Sequence, residues 1–208
     1  MFDTYGRKCN SRFFVNYGFC LDENKADNEA VMKFKMDEKC PLYSEKLQQL
    51  KRSSPLFEHQ VPASLKRLNV LQMLRYLRFI FADESDLNRL FSQSEHQFNP
   101  LSKRCEKGVL LAIRQAADEG LAQFETSLDD DNGILETLEM FSNHRNAVIM
   151  RRGEKQVLHW WKGLTEYSLP WLDLNPIAFR RKLKELINTT TRTDGYDTYI
   201  IDVLSQIC

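Results

Sequence analysis

From Val70 onward the apolar residues of this 208-residue chain recur at helical spacing, and that periodicity constrains the fold more than any other feature. Val70, Leu74, Leu77 and Phe81 follow one another at intervals of four, three and four, which lines one face of an α-helix. Asp83 is placed to cap a short helix carrying Leu87, Leu90 and Phe91. Asn99 and Pro100 read as a cap and first-turn proline ahead of a long helix with Val109, Ile113, Ala117, Leu121, Phe124 and Leu128 inward. Residues 129–133, "DDDNG", read as a loop. A further helix is expected over 142–166, with Val157, Trp161 and Leu164 inward. "NP" at 175–176 opens a basic helix with Phe179, Leu183 and Leu186, and Tyr196, Tyr199 or Ile200, Val203 and Ile207 continue the spacing in the tail.

The first forty residues differ. "CNSRFFVNYGF" fits a short helix or a strand pair equally well by periodicity, and 21–30 is a polar loop. "AVMKFKM" alternates apolar and charged residues like an edge strand, and Pro41 closes the region. The expectation is a mainly α protein, a multi-helix domain over 41–208 behind a short β-containing piece over 1–40. That piece is too short and one-sided to bury a sheet alone.

Composition narrows the function classes. Lysine plus arginine and aspartate plus glutamate number 29 each, so no overall field favours nucleic acid or an anionic membrane. The most apolar run, 70–82, is interrupted by Gln72, Arg75 and Arg78, which excludes a spanning helix there. Arg7 and Lys8 follow an aromatic start with no apolar run behind them, unlike a signal peptide. Five widely spaced cysteines without a C-x-x-C pair read as reduced thiols rather than a disulfide frame or zinc site, which points to a cytoplasmic or nuclear protein.

The N-terminal residues carry a resemblance. Tyr5–Gly6, "KCN" ending at Asn10, Phe14, "NYGF" over 16–19, and Asn24 with Asp27 resemble the C-terminal end of the SET domain of protein-lysine methyltransferases. The group they look most like is the Rubisco large-subunit methyltransferase class. "LRYLRFIFADESDL" (74–87) and "AVIMRRGEKQVLHWW" (147–161), with its R-x-G-E-K-x-x-L pattern, look like helices of that class's substrate-binding domain.

The resemblance implies a role for each part. Residues 1–40 would be the last segment of a SET domain, and 41–208 a helical domain that binds the protein substrate and presents a lysine, its tail from about Leu172 matching nothing in that class. Tyr5 falls on the family's catalytic tyrosine, Tyr17 on a second tyrosine of the substrate-lysine channel, and Phe19 on an aromatic that packs against the adenine of S-adenosyl-L-methionine. No metal, nucleic acid or membrane is implied. The family's upstream strands and N-H-S/C donor motif have no counterpart in these residues, so the chain reads as the C-terminal portion of such an enzyme, inactive by itself. A standalone helical protein-interaction module with a degenerate SET remnant is the rival reading.

Several other features have plainer explanations. Trp160 and Trp161 point about 100° apart on a helix, so one is expected in the core and the other partly exposed. Arg180, Arg181, Lys182 and Lys184 read as a solvated face. Asp129, Asp130 and Asp131 lack the twelve-residue calcium-loop pattern, and Cys9 reads as a structural thiol.

Overall fold

The longest element sets the frame. In the computed structural model, which describes residues 6–40, 42–50, 55–92, 99–190 and 195–208, helix α7 spans Asn143–Leu172. Before it come α1 (Asn10–Tyr17), β1 (Glu29–Lys35), α2 (Tyr43–Gln49), β2 (Leu56–Pro62), α3 (Leu68–Phe81), α4 (Glu84–Ser92), α5 (Lys103–Leu121) and α6 (Leu128–Thr137). After it come α8 (Pro176–Thr189), α9 (Tyr196–Asp202) and a 3-10 turn over Leu204–Gln206. The fold is mainly helical with one two-stranded antiparallel sheet, as the periodicity predicts.

The largest core joins the sheet to α3, α5 and α7, while smaller clusters around Leu87 and Leu90 and around Leu135 seat α4 and α6. Val70, Met73, Leu74 and Leu77 of α3, Val109, Leu110 and Ile113 of α5, and Val157, Trp161 and Leu164 of α7 are buried together with Met32 and Phe34 of β1. Trp161 is fully buried and donates its indole N–H to the Pro62 carbonyl at 3.0 Å, while Trp160 is half-buried and meets it edge-on at 5.0 Å. The tail belongs to the same core, with Tyr199, Ile200 and Leu204 fully buried.

Buried charge fastens the helices to one another. Arg78 of α3 donates Nε and Nη2 to Glu106 of α5 at 2.9 and 2.6 Å, and the Tyr199 hydroxyl donates to the same carboxylate. All three side chains are excluded from water, so each needs the others to replace lost hydration. Lys46 of α2 is likewise fully buried, donating at 2.6 Å to the carbonyls of Ile80 and Ala82 at the end of α3. Burial pushes its pKa below the ordinary lysine value.

Four details depart from the sequence expectations. The pattern does not turn wholly helical after Pro41: β2 lies beyond it and pairs with β1, Phe57 opposite Phe34 and Glu58 opposite Lys33. The cap of α5 is Ser102, whose Oγ accepts from the Cys105 N–H at 3.2 Å, rather than Asn99. Residues 129–133 are helical rather than a loop, because Ser127 and Asp130 form a reciprocal capping box that starts α6, and α5 ends at Leu121, short of Phe124 and Leu128. Helix α7 runs six residues past 166, through Pro170, to Leu172.

Candidate functional site

The segment 10–17 resolves to a helix. It ends at Gly18, whose φ of 77° lies in the left-handed region that glycine enters without steric cost. The turn folds Phe19 back onto α1, where its ring stacks on buried Phe13 at 5.3 Å. Tyr17, 45% exposed, stands 6.3 Å from both rings, and the Lys8 ammonium lies 5.9 Å over its face. Tyr17 and Phe19 are thus brought into one partly exposed aromatic cluster. Tyr5 lies outside the described residues.

Asparagines hold this cluster in place. The Asn10 side chain exchanges two 2.9 Å hydrogen bonds with the Leu21 backbone, closing the loop that carries Phe19. Asn24 donates to the Lys8 carbonyl at 2.8 Å, and Asn28 accepts from the Asn10 N–H at 3.2 Å. Asp27 receives Arg7 at 3.2 Å and Arg67, just ahead of α3, at 2.8 Å.

The loop is then fixed to α7 by side chains of that helix's first turns. Asn146, 8% exposed, accepts from the Cys20 N–H at 2.9 Å and donates to the Gly18 carbonyl at 3.2 Å. Arg145 reaches both Asp22 carboxylate oxygens at 3.2 and 3.1 Å, and Arg152 donates to the Asp22 carbonyl at 2.8 Å. Gly153 is required by proximity, since a Cβ there would collide with the Asn28 carboxamide. Burial, with a smaller contribution from Asp22, pushes the Cys20 thiol up to about 11.

The R-x-G-E-K pattern over 151–155 is accounted for by the same packing. Arg151 and Lys155 converge on fully buried Asp131 of α6, and Lys155 lies 2.8 Å from its carboxylate. Burial alone would raise the Asp131 pKa, but hydrogen bonds from Arg151, Lys155 and Thr126 outweigh it and hold the carboxyl below its ordinary value. The aspartate run therefore supplies a capping group and a buried counter-ion. Among the described residues no group of side chains has the makings of a metal site. Asn146, Asn28 and Asp22 are the site residues that sequence reasoning missed. The crowding of asparagine over 10–28 hints at Asn28, whose bonded partners are Asn10 and Asn24, whereas Asn146 and Asp22 find theirs more than a hundred positions away.

The fold has solved counterparts. The structure of Rubisco LSMT bound to AdoMet superposes with a TM-score of 0.61 at 24% identity, over 90% of this chain and 45% of that one. The SET domain of LSMT bound to methyllysine and AdoHcy gives 0.62 at 24% identity, over 92% and 45%. At that identity the likeness establishes the fold alone, shared with somewhat under half of each of those chains.

Residues 37–158, more than half of the chain, match the sequence model of the Rubisco LSMT substrate-binding family, and the chain belongs to that family. It is 26% identical over 169 residues to the actin-histidine N-methyltransferase of Gallus gallus, covering 74% of this chain and 28% of that protein. It is 24% identical over 184 residues to the chloroplastic fructose-bisphosphate aldolase-lysine N-methyltransferase of Arabidopsis thaliana, covering 86% and 38%. The chloroplastic Rubisco large-subunit N-methyltransferase of Pisum sativum gives 26% over 184 residues, covering 86% and 37%. The chain thus spans well under half the length of these curated relatives. None of its described helices is long and apolar enough to cross a membrane.

Proposed function

We propose that this chain is the substrate-binding portion of a SET-family protein-lysine N-methyltransferase, with residues 1–40 as the closing segment of the SET domain and 41–208 as the domain that grips the protein substrate. The observation that carries the reading is the family match over 37–158, joined to the docking of the Tyr17–Phe19 loop on Asn146 within that matched region.

In this reading Tyr17 lines the channel for the substrate lysine, Phe19 packs on the adenine of S-adenosylmethionine, and Tyr5 is the catalytic tyrosine. The partly exposed Phe19 ring, backed by Phe13, offers the kind of face an adenine stacks on. The bound donor supplies an electrophilic methyl group. A lysine ammonium, with an ordinary pKa of about 10.4, must shed a proton before its nitrogen can react. Aromatic walls assist by excluding water, which lowers that pKa, and by aligning the amine. The Tyr5 hydroxyl would orient the nitrogen.

The test joins this chain to the donor-binding portion of a SET domain, supplies tritiated S-adenosylmethionine and a cytosolic or chloroplast extract, and identifies the methylated residue by mass spectrometry. Methyllysine that disappears with Tyr5→Phe supports the reading. Methylhistidine would replace lysine as the acceptor, in line with the name of the actin-histidine relative. Protein capture without methylation, unchanged in Tyr5→Phe, would favour the interaction module.

A further inference from the structure

Helix α8 has two faces, and only the inner one is spent on the fold. Phe179 is buried and meets Trp171 edge-on at 5.5 Å, and Leu183 and Leu186 pack on the same core. Lys182 is drawn to this side as well, its ammonium 4.5 Å over the Trp171 ring. The outer face carries Ile177, Arg181, Lys184 and Asn188 at intervals of four, three and four. Arg180 and Ile187 lie along one flank of that row and Glu185 along the other. All seven are exposed, Ile177 at 83% and Ile187 at 46%.

The charge of this face is one-sided, three cations against the Glu185 carboxylate. Arg180, Arg181 and Lys184 form no ion pair or side-chain hydrogen bond among the described residues. The acidic residues that flank α8 are engaged elsewhere. Asp173 holds Lys107 at 2.8 Å, and Asp197 accepts from the hydroxyls of Tyr167 and Thr190 at 2.6 and 2.8 Å. The overall charges of the chain cancel. Three unpaired cations within about 16 Å, beside an isoleucine left in water, therefore select a partner that is anionic and partly apolar.

The helix itself narrows the kind of anion. An interfacial helix turns its apolar side into the lipid, and here that side is already in the core. None of the seven outer residues is aromatic, so nothing there stacks a nucleotide base. The four-three-four spacing suits a second helix, whose own residues recur every three or four positions and pack ridge into groove.

We propose that the outer face of α8 docks an acidic amphipathic helix of a partner protein. Its carboxylates lie beside Arg180, Arg181 and Lys184, and an aliphatic side chain of the same helix covers Ile177. Charge complementarity sets the encounter and the choice of partner, and the aliphatic contact fixes the register. This surface lies beyond the matched residues 37–158 and does not depend on the methyltransferase reading.

The probe is a fluorescent helical peptide with glutamates and one leucine along a single face, titrated to about 1 mM and followed by anisotropy and amide NMR on the full chain. The expected result is binding that weakens as salt rises, with amide shifts centred on 176–189. Arg181→Glu with Lys184→Glu should weaken it about tenfold, and Ile177→Ser about threefold. These are exposed changes that leave the inner face of α8 intact. Lys66→Glu, an equally exposed reversal ahead of α3, should leave binding unchanged. No binding, equal binding of a peptide with the same composition and a scrambled face, or shifts away from α8 would overturn the proposal. Tighter binding to phosphatidylserine vesicles or to duplex DNA than to the peptide would overturn it as well.

Discussion

Replacing Asn146 by alanine should release the aromatic loop from α7 without dismantling the core. The carboxamide makes two hydrogen bonds to main chain, one to Cys20 and one to Gly18. At about 1 kcal/mol each, their loss shifts the opening equilibrium of the loop by about 2 kcal/mol, or about thirtyfold. Cys20 reports that opening. In the closed state its thiol is held up to about 11; released, it returns to an ordinary value of about 8.5, raising the thiolate fraction at pH 8 by about two hundredfold. When reclosure outruns alkylation, the labelling rate follows the opening constant. Iodoacetamide labelling at pH 8, quantified at Cys20 by mass spectrometry, should therefore be about thirtyfold faster in Asn146→Ala than in the parent. Asn146→Asp keeps the acceptor for the Cys20 N–H and loses the donor to Gly18, so it should accelerate labelling by only about fivefold. Equal rates in the three proteins would show that Asn146 does not hold the loop.

Asp131→Asn leaves Lys155 and Arg151 without their buried counter-charge and should cost about 3 kcal/mol at pH 7 by urea unfolding. Because the folded Asp131 pKa is depressed, its stabilisation is full above the unfolded value of about 3.9 and fades as the pH falls through the folded value, so the gap between parent and variant should begin to close below about pH 4 and vanish only below the folded value. Glu106→Gln should cost about 3–5 kcal/mol by stranding Arg78, whereas Arg78→Met, Glu106→Leu and Tyr199→Phe together, which remove all three buried polar groups, should recover most of that loss. Trp161→Ala should cost about 3–5 kcal/mol, well above half-exposed Trp160→Ala, in the same unfolding assay. Gly153→Ala should lower stability by about 1–3 kcal/mol and speed Cys20 labelling, because the new methyl displaces Asn28.

The helical body was legible because burial imposes a period. The faces of α3, α5 and α7 are buried where Val70, Ile113 and Trp161 mark them, and the Asp83 and Asn175 caps bond as their residue types suggest, at 2.9 Å each. What escaped depends on contacts distant in sequence. The strand Leu56–Pro62 is short, and its partner β1, the Trp161 indole and the Asn69 carboxamide define it. The aspartate run looked like loop because three successive charges disfavour helix in isolation. Ser127 caps it instead, and Lys155, 24 residues on, neutralises Asp131. For the same reason Tyr17 and Phe19 were visible as aromatics of a recognisable segment, while Asn146, which anchors the turn between them, was not.

The most direct test of the methyltransferase account is calorimetric titration of S-adenosylhomocysteine into the 208-residue chain and, in parallel, into a longer polypeptide that joins it to a SET donor-binding portion. The account predicts heat of binding only for the longer polypeptide, lost on Phe19→Ala. Tight binding by the 208 residues alone, or none by either, would contradict it.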